Sequence, residues 1–173
     1  GALRFLAAPD YEVPSDANAD NVYDVTVQVS DGSLSTTQAI AVTVTAVNDN
    51  TPAITSGRIV SVAENTTAVT TVMASDADLP AQTLAYSITG GADAARFTID
   101  ATTGALRFLA APDHEAPSDA NADNVYDVTV QVSDGSLSTT QAIAVTVTAV
   151  NDNTPAITSS SAFSVAENST TVT

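Results

Sequence analysis

Valines recur along this chain at every second position. Val25, Val27 and Val29 alternate with Thr26 and Gln28, and Ile40, Val42 and Val44 alternate with Ala41 and Thr43. Both runs return at 128–132 and 143–147. A period of two puts the apolar set on one face of an extended segment, so each run predicts a half-buried strand. Phe97 and Ile99 face Leu106 and Phe108 across Asp100-Ala101-Thr102-Thr103-Gly104, the pattern of a hairpin with a glycine-ended loop. Asp31-Gly32 and Asp134-Gly135 follow strands and predict turns. Asp93-Ala94-Ala95-Arg96 allows one helical turn, but no stretch carries a helical apolar face. About seven strands in roughly 100 residues predict an all-β fold, an Ig-like Greek-key sandwich.

The runs return because the chain repeats itself at an offset of 103 residues. Residues 1–70 and 104–173 agree at 62 of 70 positions, differing only at 11, 13, 57, 58, 59, 60, 66 and 68. Copies this similar predict recent duplication and a longer array. The expected organisation is one complete unit at 51–153. It is flanked by the back half of a unit at 1–50 and by the opening strand of another at 154–173. Pairing the two ends does not rebuild a unit, since the counterpart of roughly residues 71–103 is missing from both.

Charge narrows the function. The chain has 20 Asp plus Glu against 4 Lys plus Arg, no Cys and no Trp, and 44% of its residues are hydrophobic. That apolar share supports packed cores and excludes wholesale disorder. The acidic balance excludes nucleic acid, whose phosphates draw on clustered Lys and Arg. Without Cys there are no disulfides and no thiolate metal sites. The longest apolar run, Ala39 to Val47, is too short to cross a bilayer, so no membrane insertion is expected of this segment. His114 is the only His, and its copy position holds Tyr11. With no second His and no nucleophile–base constellation, no enzyme is expected.

The carboxylates are gathered rather than scattered. Each unit carries Ala-Glu-Asn near its start (Glu64-Asn65), then Asp76-Ala77-Asp78. Pro-Asp-x-Glu follows (Asp10 and Glu12; Asp113 and Glu115), then Ser-Asp-Gly (Asp31; Asp134), and the unit closes with Val-Asn-Asp-Asn-Thr-Pro at 47–52 and 150–155. Crowded carboxylates repel unless a cation neutralises them, and Ca²⁺ takes six to eight oxygens from separate segments. Five such motifs in this order, over the whole chain, resemble cadherin repeats in their bacterial cadherin-like form.

That resemblance implies Ca²⁺ at the junctions between units. The first junction would use Asp10, Glu12, Asn48, Asp49 and the Asn50 carbonyl with Asp76, Asp78 and Asp134. The second would use Glu64, Asp113, Glu115, Asn151, Asp152 and Asn153, its remaining aspartates lying past Thr173. Glu167 would serve a junction further on and Asp31 one further back. The family's linker opens with Asp where this chain has Ala46 and Ala149. The resemblance therefore implies two or three ions per complete junction. It also implies a structural role: a tandem repeat of a long extracellular bacterial surface protein, an adhesin stalk or fibre stiffened by Ca²⁺. Its partners would be neighbouring repeats of the same chain, and like chains in a fibre or a cell-surface ligand. The alternative is a direct binding module for homophilic adhesion or carbohydrate. Against it stand the missing Trp, which strand-exchanging cadherins use as an anchor, and the scarcity of aromatic platforms, with four Tyr and four Phe.

Two features stay open. Asp16-Ala17-Asn18-Ala19-Asp20-Asn21 and its copy at 119–124 begin like a calcium loop, but an EF-hand's closing Glu is replaced by Val27 and Val130. The loop either holds an ion with help from elsewhere or is an Asx-rich turn. Asn65 and Asn168 match the N-glycosylation pattern, yet both sit inside the Glu-Asn motif, where turn geometry accounts for them.

Overall fold

The computed structural model describes residues 1–171. The strands are β1 Val22–Ser30, β2 Ser35–Thr43, β3 Ala53–Ile54, β4 Ile59–Ala63, β5 Ala68–Thr71, β6 Ala74–Ser75, β7 Ala85–Gly90, β8 Phe97–Ile99, β9 Ala105–Phe108, β10 Val125–Ser133 and β11 Ser138–Thr148. One 3₁₀ turn, Ala94–Arg96, is the only helical element among the described residues. It falls where the sequence allows a single turn. Among the described residues no helix is long and apolar enough to cross a membrane.

Strands β3 to β11 build one β-sandwich, so the all-β, Ig-like prediction is borne out. One sheet has the order β4-β11-β10-β7 and the other β5-β9-β8, with β3 and β6 forming a short pair. The core between them holds Val72, Phe97, Leu106, Phe108, Tyr126, Val128, Val130, Val132, Ile143, Val145 and Val147. Phe97 stacks on Phe108 at 4.6 Å, and Tyr126 meets Phe108 edge-on at 5.1 Å. Each such side chain, fully buried, stabilises the unit by about 1.5–3 kcal/mol. Strand β4 pairs in parallel with β11, from Ile59 opposite Ala144 to Ala63 opposite Thr148. The β8–β9 hairpin has the expected register, Phe97 opposite Phe108 and Ile99 opposite Leu106. Its loop is tied by Asp100 Oδ1, which accepts the N–H groups of Thr102 at 2.9 Å and Thr103 at 2.8 Å. Gly104 ends it at φ +70°, against the Val72 carbonyl, where a Cβ does not fit.

The repeat supplies an internal control. Strands β1 and β10 have one sequence, and β2 matches the first nine residues of β11. Both hairpins adopt one register, with Val25 opposite Ile40 and Val128 opposite Ile143. Their burial differs. Val128, Val130 and Val132 are buried, whereas Val25 and Val27 are half-buried and Val29 is exposed. Local pattern and turn therefore set the pairing, and the opposing sheet sets the burial. The same logic corrects one expectation. Residues 154–171 form no strand. Their counterparts Ala53–Ile54 and Ile59–Ala63 pair with β6 and β11.

Candidate metal centres at the unit junctions

The linker after β2 meets the loop after β6 and the β10–β11 turn. Buried Asp78 organises this meeting: its Oδ1 accepts the Asn50 N–H at 3.1 Å, the Asn50 Nδ2 at 2.8 Å and the Asp49 N–H at 3.4 Å. The Asp78 N–H donates to Asp76 Oδ1 at 3.0 Å. Glu12 reaches across from the first half-unit, its Oε1 accepting the Leu79 N–H at 3.1 Å. Asp134 sits in its turn with Oδ1 taken by the N–H groups of Ser136 at 2.6 Å and Leu137 at 2.7 Å. The structure thus gathers two carboxylate groups that share Asp78: Glu12, Asp49 and Asp78, and Asp76, Asp78 and Asp134, each with oxygens within 4.8 Å of one another. Asp10 stands outside both. Its Oδ1 caps a turn, accepting the N–H groups of Glu12 at 3.0 Å and Val13 at 3.1 Å, as its copy Asp113 does for Glu115 and Ala116.

Asn48 completes the second group. Its side-chain amide places one polar atom 3.2 Å from Asp134 Oδ2 and 3.3 Å from Asp78 Oδ2. With the NH₂ turned inward it donates to both carboxylates. With the oxygen turned inward, oxygens converge, an arrangement that a cation or a shared proton satisfies. Asp76 Oδ2 is buried there without a hydrogen-bond partner.

The far pole repeats the theme. Buried Glu64 accepts the His114 N–H at Oε2 and the Val150 N–H at Oε1, both at 2.6 Å. Asn65 follows at φ +64° in the turn after β4, and its Nδ2 donates to Asp152 Oδ2 at 2.5 Å. Asn153 Nδ2 donates to Glu115 Oε2 at 3.2 Å and to Asp152 Oδ1 at 3.0 Å. Glu64, Asp113 and Glu115 form a third carboxylate group. Asn151 lies exposed beside them.

Three of these carboxylates, Glu64, Asp78 and Asp134, are held in the ionised form. The His114 and Val150 N–H groups lower the pKa of Glu64, against the opposing effect of burial. At Asp78 burial raises it, but the Asn50 side chain and the Asn50 and Asp49 N–H groups outweigh that, and the net direction is down. The Leu137 and Ser136 N–H groups lower Asp134. Among the described residues the one ion pair is His114 with Glu115, at 3.8 Å, so no Arg offsets the junction charge. Oxygen-only donors, ionised and partly unsatisfied, fit a hard divalent cation such as Ca²⁺.

Sequence reasoning passes over Asp93 beyond its helical turn. The structure buries it, with Oδ1 accepting the Ala120 N–H at 2.7 Å and Oδ2 the Asp127 N–H at 2.8 Å. Its signal is faint: one Asp before an Ala-Ala-Arg turn, with partners 27 and 34 residues away.

A family model, the cadherin domain, matches residues 58–149. Mouse cadherin-related family member 2 is 36% identical over 160 residues, covering 88% of this chain and 12% of that protein. Human protocadherin Fat 1 is 34% identical over 166 residues, 90% of this chain and 3% of that protein. The chain thus spans a small fraction of the relatives it matches. Among solved structures, extracellular cadherin domains 3–6 of protocadherin gamma B2 superpose with a TM-score of 0.63 at 29% identity, over 83% of this chain and 35% of that one.

Proposed function

This chain belongs to the cadherin family, and from that premise we propose that it is a structural stretch of a long tandem-repeat protein outside the cell. Residues 51–153 serve as one complete unit, with parts of neighbouring units at 1–50 and 154–173. The parent is a surface stalk or fibre, in the bacterial setting that the sequence resembles, and its role is mechanical rather than enzymatic. The observation that carries this reading is the convergence of the Asn48 amide, Asp78 and Asp134 beside the unpartnered Asp76 Oδ2.

At the first junction Glu12, Asn48, Asp49, Asp76, Asp78 and Asp134 would hold Ca²⁺; at the second, Glu64, Asp113, Glu115 and Asp152 would do so. When bound, Ca²⁺ would supply positive charge against the repulsion among these carboxylates, which come from two units. Asp78 prepares the junction by gripping the linker through Asn50, and Glu12 ties the loop after β6 to the first half-unit. Asn48 turns its amide according to what lies between Asp78 and Asp134. Each occupied site adds about 2.7 kcal/mol at one hundredfold excess over its dissociation constant, which for extracellular calcium modules is about 10⁻⁴–10⁻³ M. A stalk needs length and stiffness, and the burial of Phe97, Phe108 and Tyr126 in the core fits a spacer better than an aromatic sugar platform.

The test is thermal unfolding and small-angle scattering of the whole chain in millimolar Ca²⁺ and in chelator, with Asp134→Asn alongside. A higher Tm and an extended, stiffer particle in Ca²⁺, both reduced by D134N, are the expected result. Identical Tm and scattering in both buffers overturn the reading.

A further inference from the structure

We propose that the Asp119–Asn124 loop of the complete unit is a separate binding site for a hard cation, built on Asp119 Oδ1 and Asn124 Oδ1. Asp119 is 8% exposed. Its Oδ2 accepts the Asp123 N–H at 2.8 Å, while Oδ1 is buried with no hydrogen-bond partner. No basic side chain pairs with it, since the one ion pair among the described residues is at His114 and Glu115. A buried carboxylate in that state requires a counter-charge or a proton.

Asn124 supplies the second oxygen. Its Nδ2 donates to the His114 carbonyl at 3.0 Å, which fixes the amide, and Oδ1 is left buried without a donor. Since the NH₂ is committed, the amide cannot turn to supply a proton in place of its oxygen. Asp123 is occupied on both oxygens, by the Val125 N–H and by Asn121 Nδ2, each at 2.8 Å. The unmatched side-chain atoms of the loop are therefore oxygens alone, which favours a hard cation of the Ca²⁺ type over soft or nitrogen-seeking metals.

The other copy of the loop differs at this carboxylate. Asp16 has the same sequence around it, yet both its oxygens are satisfied: Oδ1 by the N–H groups of Asn18 and Asp20 at 3.1 Å, and Oδ2 by that of Asn21 at 2.9 Å. In the complete unit Asp93 takes the Ala120 N–H and the Asp127 N–H, so the backbone is drawn to a second buried carboxylate instead of folding wholly around Asp119. Asp93 also adds negative charge nearby. The loop's Asn oxygen, Asn21 Oδ1 or Asn124 Oδ1, is unmatched in both copies; what sets the complete unit apart is that the Asp119 Oδ1 is unmatched as well.

The experiment counts Ca²⁺ bound to the metal-free whole chain by calorimetric titration and native mass spectrometry. Unmodified chain, Asp119→Asn and Asp16→Asn are compared. Asp119→Asn is expected to bind one ion fewer and Asp16→Asn to bind the same number, whatever the junctions bind. Asn124→Gly suits the positive φ of that position and keeps the loop foldable if Asp119→Asn does not; it is expected to weaken the same ion about tenfold. Unchanged counts and affinity in Asp119→Asn or Asn124→Gly overturn the proposal. So does a carboxyl ¹³C signal for Asp119 that stays protonated at neutral pH in millimolar Ca²⁺.

Discussion

Glu64 and Val150 lie 86 residues apart, yet the Val150 N–H donates to Glu64 Oε1 at 2.6 Å. The other oxygen takes the His114 N–H, so one buried carboxylate ties the end of β4 to the segment before the second acidic loop and to the linker. Glu64→Gln offers an acceptor to only one of these N–H groups and sets an NH₂ against the other. In chelator, thermal unfolding of this variant should show a Tm lower by several degrees. An unchanged Tm would mean that the carboxylate serves ion binding alone.

The two copies allow a paired test of burial. Leu106 is 1% exposed and its copy Leu3 is 53% exposed. Leu106→Ala should cost about 2–5 kcal/mol in urea unfolding. Leu3→Ala should stay within about 0.5 kcal/mol. Equal costs would mean that the first half-unit contributes a core of its own.

Acid should weaken the metal-free protein. The N–H groups of His114 and Leu137 lower Glu64 and Asp134 respectively, and at Asp78 the Asn50 contacts outweigh burial, which pushes the other way. Each folded pKa lies below its unfolded value, so the unfolded chain takes up protons first as pH falls. The stabilisation is complete above the ordinary carboxylate range, about pH 4, and is lost as pH drops through and below it. Tm measured against pH in chelator should be flat near neutrality and fall below that range, and Glu64→Gln should flatten the fall. A Tm that rises on acidification would contradict the assignment.

Asn48 should show two faces. Asn48→Asp removes the NH₂ that bridges Asp78 and Asp134, and it leaves oxygens suited to a cation. The difference in Tm between Ca²⁺ and chelator should therefore widen relative to the unmodified chain. Asn48→Ala, lacking both donor and ligand, should narrow it. Equal differences in all three would place Asn48 outside the junction's chemistry.

Much of the fold is legible in alternation and turns alone. The valine runs and Asp-Gly turns predict the β1–β2 and β10–β11 pairings, because register there is set by neighbours in sequence. Burial is another matter: nothing local separates Val27 from Val130, and only the opposing sheet does. Among the junction residues, the motifs single out Glu12, Asp76, Asp78 and Asp134, which the fold gathers. Asp10 stands outside these groups, although its copy Asp113 caps the same turn and still joins Glu64 and Glu115. Asp93 is invisible in the sequence. Its partners lie on a distant loop and on β10, and a lone Asp before a short turn carries no mark of burial.

The parallel pairing of β4 with β11 gives the unit a mechanical character. The chain enters at the Ile59 end of one strand and leaves at the Thr148 end of the other. Tension applied through the two ends therefore slides these strands past each other along their length. The rungs from Ile59–Ala144 to Ala63–Thr148 are loaded side by side and must yield together rather than unzip one at a time. A unit wired this way resists pulling along its axis far better than peeling from its side, which suits a link in a tether under load.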